Sequence, residues 1–188
     1  MNMINHEEII RLTEEYAGEW GINHTRRLLH LISIIGEGMK IDQEVIWLAA
    51  HLHDWGAYSP WAQAGVDHAL RSKQVAQEVL AERGAPDELI QPVLECIETH
   101  HLGDPNRRIE AILLSDADAL DFLGVIGILR DFAKKPRDLR GAYQSVKSRR
   151  QKLPQMICLE KTKEIAQKRI QEMDVVLSAF EEETNGYF

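Results

Sequence analysis

The sequence predicts an all-α fold. Apolar residues recur three or four positions apart along most of the chain, as in Ile9, Leu12, Tyr16 and Trp20, or in Ala69, Val75, Ala76, Val79 and Leu80. That spacing marks one buried face on a helix. No stretch alternates apolar and polar residues as a half-buried strand would. Helix punctuation brackets these stretches, with Asp42 and Pro86 before them and Gly21, Gly36 or Gly38, and Gly84 after them. At 188 residues the chain has the length of one domain with a substantial core. A single helical bundle over 1–188 is expected, with its core at about 20–125 and the last helices, 141–183, wrapping it.

Each element has a local reason. A first helix is expected from Ile4 to Trp20, stopped by Gly21. Asn23 is placed to cap a second helix through Arg27, Leu28, Leu31 and Ile35, with His24 in its first turn and Arg27 one turn on along the same face. Asp42 should cap a third helix, where Glu44 favours the positive N-terminal end; this helix delivers His53-Asp54. Between Trp55 and Val66, the residues Gly56, Ser59-Pro60 and Gly65 mark a loop of the kind that covers a site. Its Trp55, Tyr58 and Trp61 could stack on a base, although local packing is the commoner use of such residues.

A fourth helix is expected from Asp67 to Arg83, with His68 at its start. Pro86 opens a fifth, where its missing amide proton costs nothing, and this helix runs to His100-His101. Imidazoles suit the carbonyl end of a helix, so capping alone would account for that pair. The cluster Gly103-Asp104-Pro105-Asn106 is a turn, and a helix from about Arg108 carries Ile109, Ile112, Leu113, Asp116 and Leu120. Gly124 and Gly127 allow a close turn before Ile128 to Phe132. Lys134 to Arg140 is charged, interrupted by Pro136, and expected to be exposed. Two final helices part near Leu153-Pro154.

Composition excludes several classes of function. The formal net charge of -8 argues against a nucleic-acid polymer as partner, which needs a broad basic face. A small phosphorylated ligand needs only a local patch. Cys96 and Cys158 form no disulfide framework and no closely spaced metal-ligand pair, and read as reduced thiols of the interior. The N-terminal residues include Asn5, His6, Glu7 and Glu8 where a secretory signal needs an apolar run, and nothing reaches the roughly 18 apolar residues of a membrane span. A cytoplasmic location without membrane attachment is therefore expected. A homodimer is compatible with the sequence.

The chemistry gathers at Val45 to Gly56, an apolar run that ends in His53-Asp54. An imidazole and a carboxylate are costly to bury without a partner, and a metal ion is one such partner. On a helix the two are about 100° apart, so both face one point only near the helix end. His51, about 200° round from His53, is read as structural. A doublet of this kind also arises by chance, and a histidine near an apolar face is ordinarily a satisfied interior residue. The surroundings supply more titratable groups: His24 with Arg26 and Arg27 upstream, Glu98-Thr99-His100-His101 downstream, then Asp116, Asp118 and Asp121. Periodicity leaves both Asp116 and Asp118 open as a distant ligand, since Asp116 continues the stripe of Ile109, Ile112 and Leu113.

Together these residues resemble the HD superfamily of metal-dependent phosphohydrolases, whose pattern is a His, the His-Asp doublet and a distant Asp on separate helices. His24, His53, Asp54 and Asp118 match it in order. Asp67-His68 followed by Ser72, the run Asp116-Ala117-Asp118 to Gly127, and Lys152-Leu153-Pro154 before Met156 are similar to a subgroup of small single-domain bacterial HD hydrolases. The likeness covers most of the chain. It favours Asp118, within Ala117-Asp118-Ala119-Leu120, as the distant ligand. Two departures stand out: Ala57 occupies a position where some relatives carry a Glu, and residues 157–161 replace a Thr-rich stretch of the subgroup.

The resemblance implies an HD-type bundle in which His24, His53, Asp54 and Asp118 hold one divalent ion. Mixed nitrogen and oxygen donors suit Mn²⁺, Fe²⁺, Co²⁺, Ni²⁺ or Mg²⁺ better than a closed structural zinc. It implies hydrolysis of a phosphate ester or anhydride of a nucleotide or related small metabolite. His68, His100 and Asp121 are then expected near the substrate, with Arg27 as an anion clamp. An alternative is a non-catalytic HD-like module that binds a nucleotide or a protein, although such modules usually lose ligand positions and all four are filled here. A metal-dependent oxygenase on a related helical scaffold would need further ligands from the extra histidines.

Overall fold

A computed structural model describes residues 4–188. Among the described residues there are eight α-helices, two 3-10 turns and no strand, as expected. In chain order they are α1 (His6–Ile35), α2 (Gln43–Leu52), a 3-10 turn (Trp55–Ala57), α3 (His68–Glu82), α4 (Asp87–Thr99), α5 (Ile109–Asp121), α6 (Val125–Lys134), α7 (Leu139–Lys152), a second 3-10 turn (Leu153–Gln155) and α8 (Glu160–Thr184). The described residues form two compact units, one ending at Ser115 and the other beginning at Asp116.

In the first unit, α2 packs on α1 and α4, and α3 packs on α4 and on the first 3-10 turn. Ile9, Leu28, Ile35, Leu48, Leu52, Trp55, Leu80, Val93 and Ile97 are buried. The expected Asp42 cap is present, and Asp67, expected as the first residue of its helix, caps it as well. Asp42 Oδ1 accepts the N–H groups of Glu44 and Val45, both at 3.1 Å, and Asp67 Oδ1 accepts those of Ala69 at 3.0 Å and Leu70 at 3.2 Å. Each satisfies two donors that the first helical turn leaves open.

The first helix differs from expectation. Two helical stretches are present, as expected, but they run on as α1 across a kink at Gly18, its one non-helical residue, at φ 61° and ψ -169°. The chain bends there because only a residue without Cβ takes that conformation readily. Gly21 is helical and serves another purpose: a Cβ on it would lie 2.1 Å from Ala17 Cβ and 3.1 Å from the Tyr58 hydroxyl. Asn23 caps nothing; its side-chain oxygen accepts from Arg26 Nη1 at 3.0 Å. His24 consequently sits inside the helix, past its first turn. Pro86 likewise stands just outside α4, as its N-cap.

The loop aromatics pack locally. Trp55 is buried, donates Nε1–H to Thr13 Oγ1 at 3.1 Å and meets Tyr16 edge-on, as does Trp61. In the second unit α6 packs on α7 and α8, with Leu123, Ile128, Ala142, Val146, Ala166, Met173 and Leu177 buried.

Candidate functional site

α2 ends where the apolar run ends, and His53 is its C-cap residue. The ring Nδ1 lies 3.0 Å from the Ala50 carbonyl oxygen. A carbonyl only accepts, so Nδ1 carries the proton and Nε2 presents its lone pair. That Nε2 is buried with no hydrogen-bond partner and lies 3.5 Å from Asp54 Oδ2. His24 Nε2, from α1, is 3.8 Å from the same oxygen. His68 Nε2, from the first residue of α3, is 3.8 Å from Asp54 Oδ1.

Gly56 makes this convergence possible. Its N–H donates to Ser72 Oγ at 2.9 Å, and a Cβ there would lie 2.3 Å from the Ser72 nitrogen and 2.7 Å from the His68 carbonyl oxygen. The strand of chain leaving Asp54 therefore touches the backbone of α3 directly, which any side chain would prevent.

His100 completes the group from the C-cap of α4. Its Nδ1 donates to the Ile97 carbonyl at 2.7 Å, which turns Nε2 toward His68 Nε2 at 3.3 Å. Two imidazole nitrogens at that separation share either a proton or a cation. His101 adds a third ring: nitrogens of His68, His100 and His101 all lie within 4.8 Å of one another, as the ligands of one ion could. The adjacency of His101 to His100 at a helix end is visible in the sequence, but that position alone gives it no role beyond capping.

Burial by itself would raise the Asp54 carboxyl. In their protonated form the imidazoles of His53, His24, His100 and His68 outweigh that and hold it well below the usual carboxylate range. An anionic carboxylate, an imidazole lone pair without a partner and further imidazoles facing the same oxygens form a donor set that fits a divalent cation. His51 stays outside the group, as its spacing indicated. Its Nδ1 is 2.8 Å from the Trp47 carbonyl oxygen, its ring lies on Trp47, and burial pushes its pKa down to about 4.

Arg27 stands half-buried on α1, one turn beyond His24. The second unit holds the three acids of α5. Asp116 is fully buried and accepts the N–H groups of Cys158 and Leu159, one on each oxygen, both at 2.9 Å. Asp118 is half-buried. Asp121 is buried in an ion pair with Arg130.

The fold and the imidazole–carboxylate group define an all-helical protein with a candidate site for a divalent cation. The chain belongs to the HD domain family, whose pattern matches residues 21–123. It is similar in fold to a predicted HD superfamily hydrolase from an uncultured Thermotogales bacterium, at 24% identity and TM-score 0.68 over 95% of this chain and 92% of that one. It is also similar to an HD-superfamily hydrolase from Bacillus thuringiensis, at 24% identity and TM-score 0.72 over 96% of each chain. A third similar structure is Bacillus subtilis YpgQ in complex with ADP, at 23% identity and TM-score 0.72 over 97% of this chain and 99% of that one. No curated protein matches the chain by sequence.

Proposed function

We propose that this protein is a metal-dependent phosphohydrolase acting on a phosphate ester or anhydride of a nucleotide or related small metabolite. The observation that carries the proposal is Asp54 among the imidazoles, with the lone pair of His53 Nε2 buried beside it. His24, His53, Asp54 and, from the family pattern, Asp118 are the residues that would hold the divalent ion, with Mn²⁺, Fe²⁺, Co²⁺, Ni²⁺ and Mg²⁺ all compatible with nitrogen and oxygen donors. Bound there, the ion supplies a water of lowered pKa and polarises a phosphoryl oxygen.

The remaining residues position substrate and move protons. Arg27 neutralises phosphate charge; its planar fork suits two phosphate oxygens at once. The Nε2 atoms of His68 and His100 lie 3.3 Å apart, so one proton can pass between them, and the pair is suited to protonating a leaving oxygen. Asp121, oriented by Arg130, lies one turn along α5 from Asp118 and serves to orient substrate groups. The ADP complex of the B. subtilis relative supports a nucleotide as substrate class. A cytoplasmic location accords with this substrate, and no described helix is long and apolar enough to cross a membrane.

The test is a panel of nucleoside mono-, di- and triphosphates and generic phosphate esters, with Mn²⁺ and with excess chelator. Metal-dependent turnover of a nucleotide is the expected result. Tight nucleotide binding with no turnover under any metal would instead identify a non-catalytic HD-like module.

A further inference from the structure

Eight of the chain's 22 Lys and Arg residues fall between residues 134 and 152, against one acid, Asp138, in a chain whose net charge is -8. A segment of formal charge +7 in an acidic protein is the sort of local patch that draws anions. Part of it is neutralised within the second unit: Lys147 pairs with Glu181 at 3.5 Å and Arg150 with Asp174 at 2.6 Å, both acids on α8. A different face of α7 carries Gly141, Gln144, Ser145, Ser148 and Arg149, at the spacing of one helical stripe. With Lys135 these residues line a cavity of about 350 Å³ that no carboxylate lines.

The geometry points to an oxyanion site in this cavity, one that takes a phosphate group of a small molecule or inorganic phosphate itself. Its cations are held in place before any ligand arrives. Lys135 Nζ donates to the Gly141 carbonyl at 2.9 Å and to Ser145 Oγ at 2.8 Å, and Ser145 Oγ in turn donates to the same carbonyl at 2.9 Å. Two of the three ammonium protons are thus used and the third remains for a ligand. Arg149 is offset in charge by the buried Asp131, which accepts from its Nη1 at 2.5 Å, and is fixed further by its guanidinium lying 4.2 Å from the Phe122 ring centre. That leaves Nε and the other terminal nitrogen of its fork. Ser148 and Gln144 add neutral donors on the same stripe. Asp138, the one acid of the segment, accepts the Gly141 N–H at 2.8 Å as the N-cap of α7, so that amide is already used and is no donor to the cavity.

Fixed donors lose little freedom on binding, which favours a compact tetrahedral anion over a long flexible one. A nucleic-acid backbone would instead need a broad face, and α8 neutralises the flank it would require. None of the cavity residues belongs to the imidazole–carboxylate group, so the inference stands whether or not the proposed hydrolase activity does.

The experiment is a titration of the full-length ¹⁵N-labelled protein with inorganic phosphate, at ionic strength held constant with chloride and followed by amide chemical shifts. Saturable shifts at Gly141, Gln144, Ser145 and Ser148 are expected. Ser148→Asp, which adds a negative charge at a half-buried position and leaves the Lys135 hydrogen bonds intact, should weaken that binding by at least about tenfold, equivalent to one charge-assisted contact. Lys135→Gln should do the same. Shifts that do not saturate, that chloride reproduces, or that persist undiminished in Ser148→Asp would overturn the site. Tighter saturable binding of a single-stranded oligonucleotide at these amides would overturn the small-anion assignment.

Discussion

The Asp116 carboxylate and the backbone N–H of Leu159 meet at 2.9 Å, and its second oxygen takes the N–H of Cys158 at the same distance. Leu159 is the N-cap residue of α8, and no side chain of its own segment caps that helix. A carboxylate from another helix therefore does the work of a cap, favoured by the positive end of the helix dipole. This gives Asp116 a structural duty and separates it from Asp118.

Asp116→Ala should accordingly keep bound metal and lower stability by about 3 kcal/mol, since two hydrogen bonds to a buried charged group are lost. Asp118→Ala should lose the metal with little loss of stability. Urea denaturation and metal analysis of both variants check this, and the reverse order of metal loss overturns the assignment of the ligand.

Removal of the metal should abolish turnover. Dialysis against chelator followed by Mn²⁺, Co²⁺ or Ni²⁺ should restore it. His53→Ala should lose both metal and activity while circular dichroism stays helical. Full activity in excess chelator would falsify the metal-dependent reading.

Arg27→Ala should raise KM or lower kcat with metal content unchanged, because a clamp acts on phosphate charge rather than on the ion. Steady-state kinetics alongside metal analysis reads this directly. Loss of metal in that variant places Arg27 in a different role.

Glu110 links helices far apart in sequence. Its carboxylate accepts the Asp42 N–H at 2.7 Å and Arg108 Nε–H at 2.9 Å. Burial alone would raise it, and these two bonds outweigh burial and lower it. A carboxylate lowered in the folded state stabilises the protein above its unfolded pKa, and the contribution fades as pH falls through the folded value. Glu110→Gln should therefore cost about 1–3 kcal/mol at pH 7, with the gap narrowing once the pH drops below the ordinary carboxylate range. A gap that is constant from pH 7 to pH 3 contradicts this account.

Burial pushes the Cys96 thiol up to about 12, so almost no thiolate forms at neutral pH. Cys158 is half-buried. A thiol reagent at pH 8 should label Cys158 alone in the folded protein and both cysteines in denaturant. Rapid labelling of Cys96 in the native state would contradict its burial.

Much of this molecule was legible locally. The Asp42 cap, the helix that ends on His53-Asp54, and the exclusion of His51 all depend on neighbours within a turn or two, where spacing and short-range hydrogen bonding decide. Of the residues that carry the family resemblance, the fold places His24, His53, His68 and His100 about the Asp54 carboxylate. Other features depend on what arrives from elsewhere in the chain. Gly21 read as a stop because glycine often is one, but the Tyr58 hydroxyl fills the space beside it and the bend falls at Gly18. The Asp42 backbone finds Glu110, 68 residues away, and Asp116 finds Cys158, 42 residues away. Periodicity reports which side of a helix faces inward but not which group meets it there. Only the tertiary structure decided that one acid on α5 holds up the start of α8, and that the His53 lone pair is sealed from water beside a carboxylate.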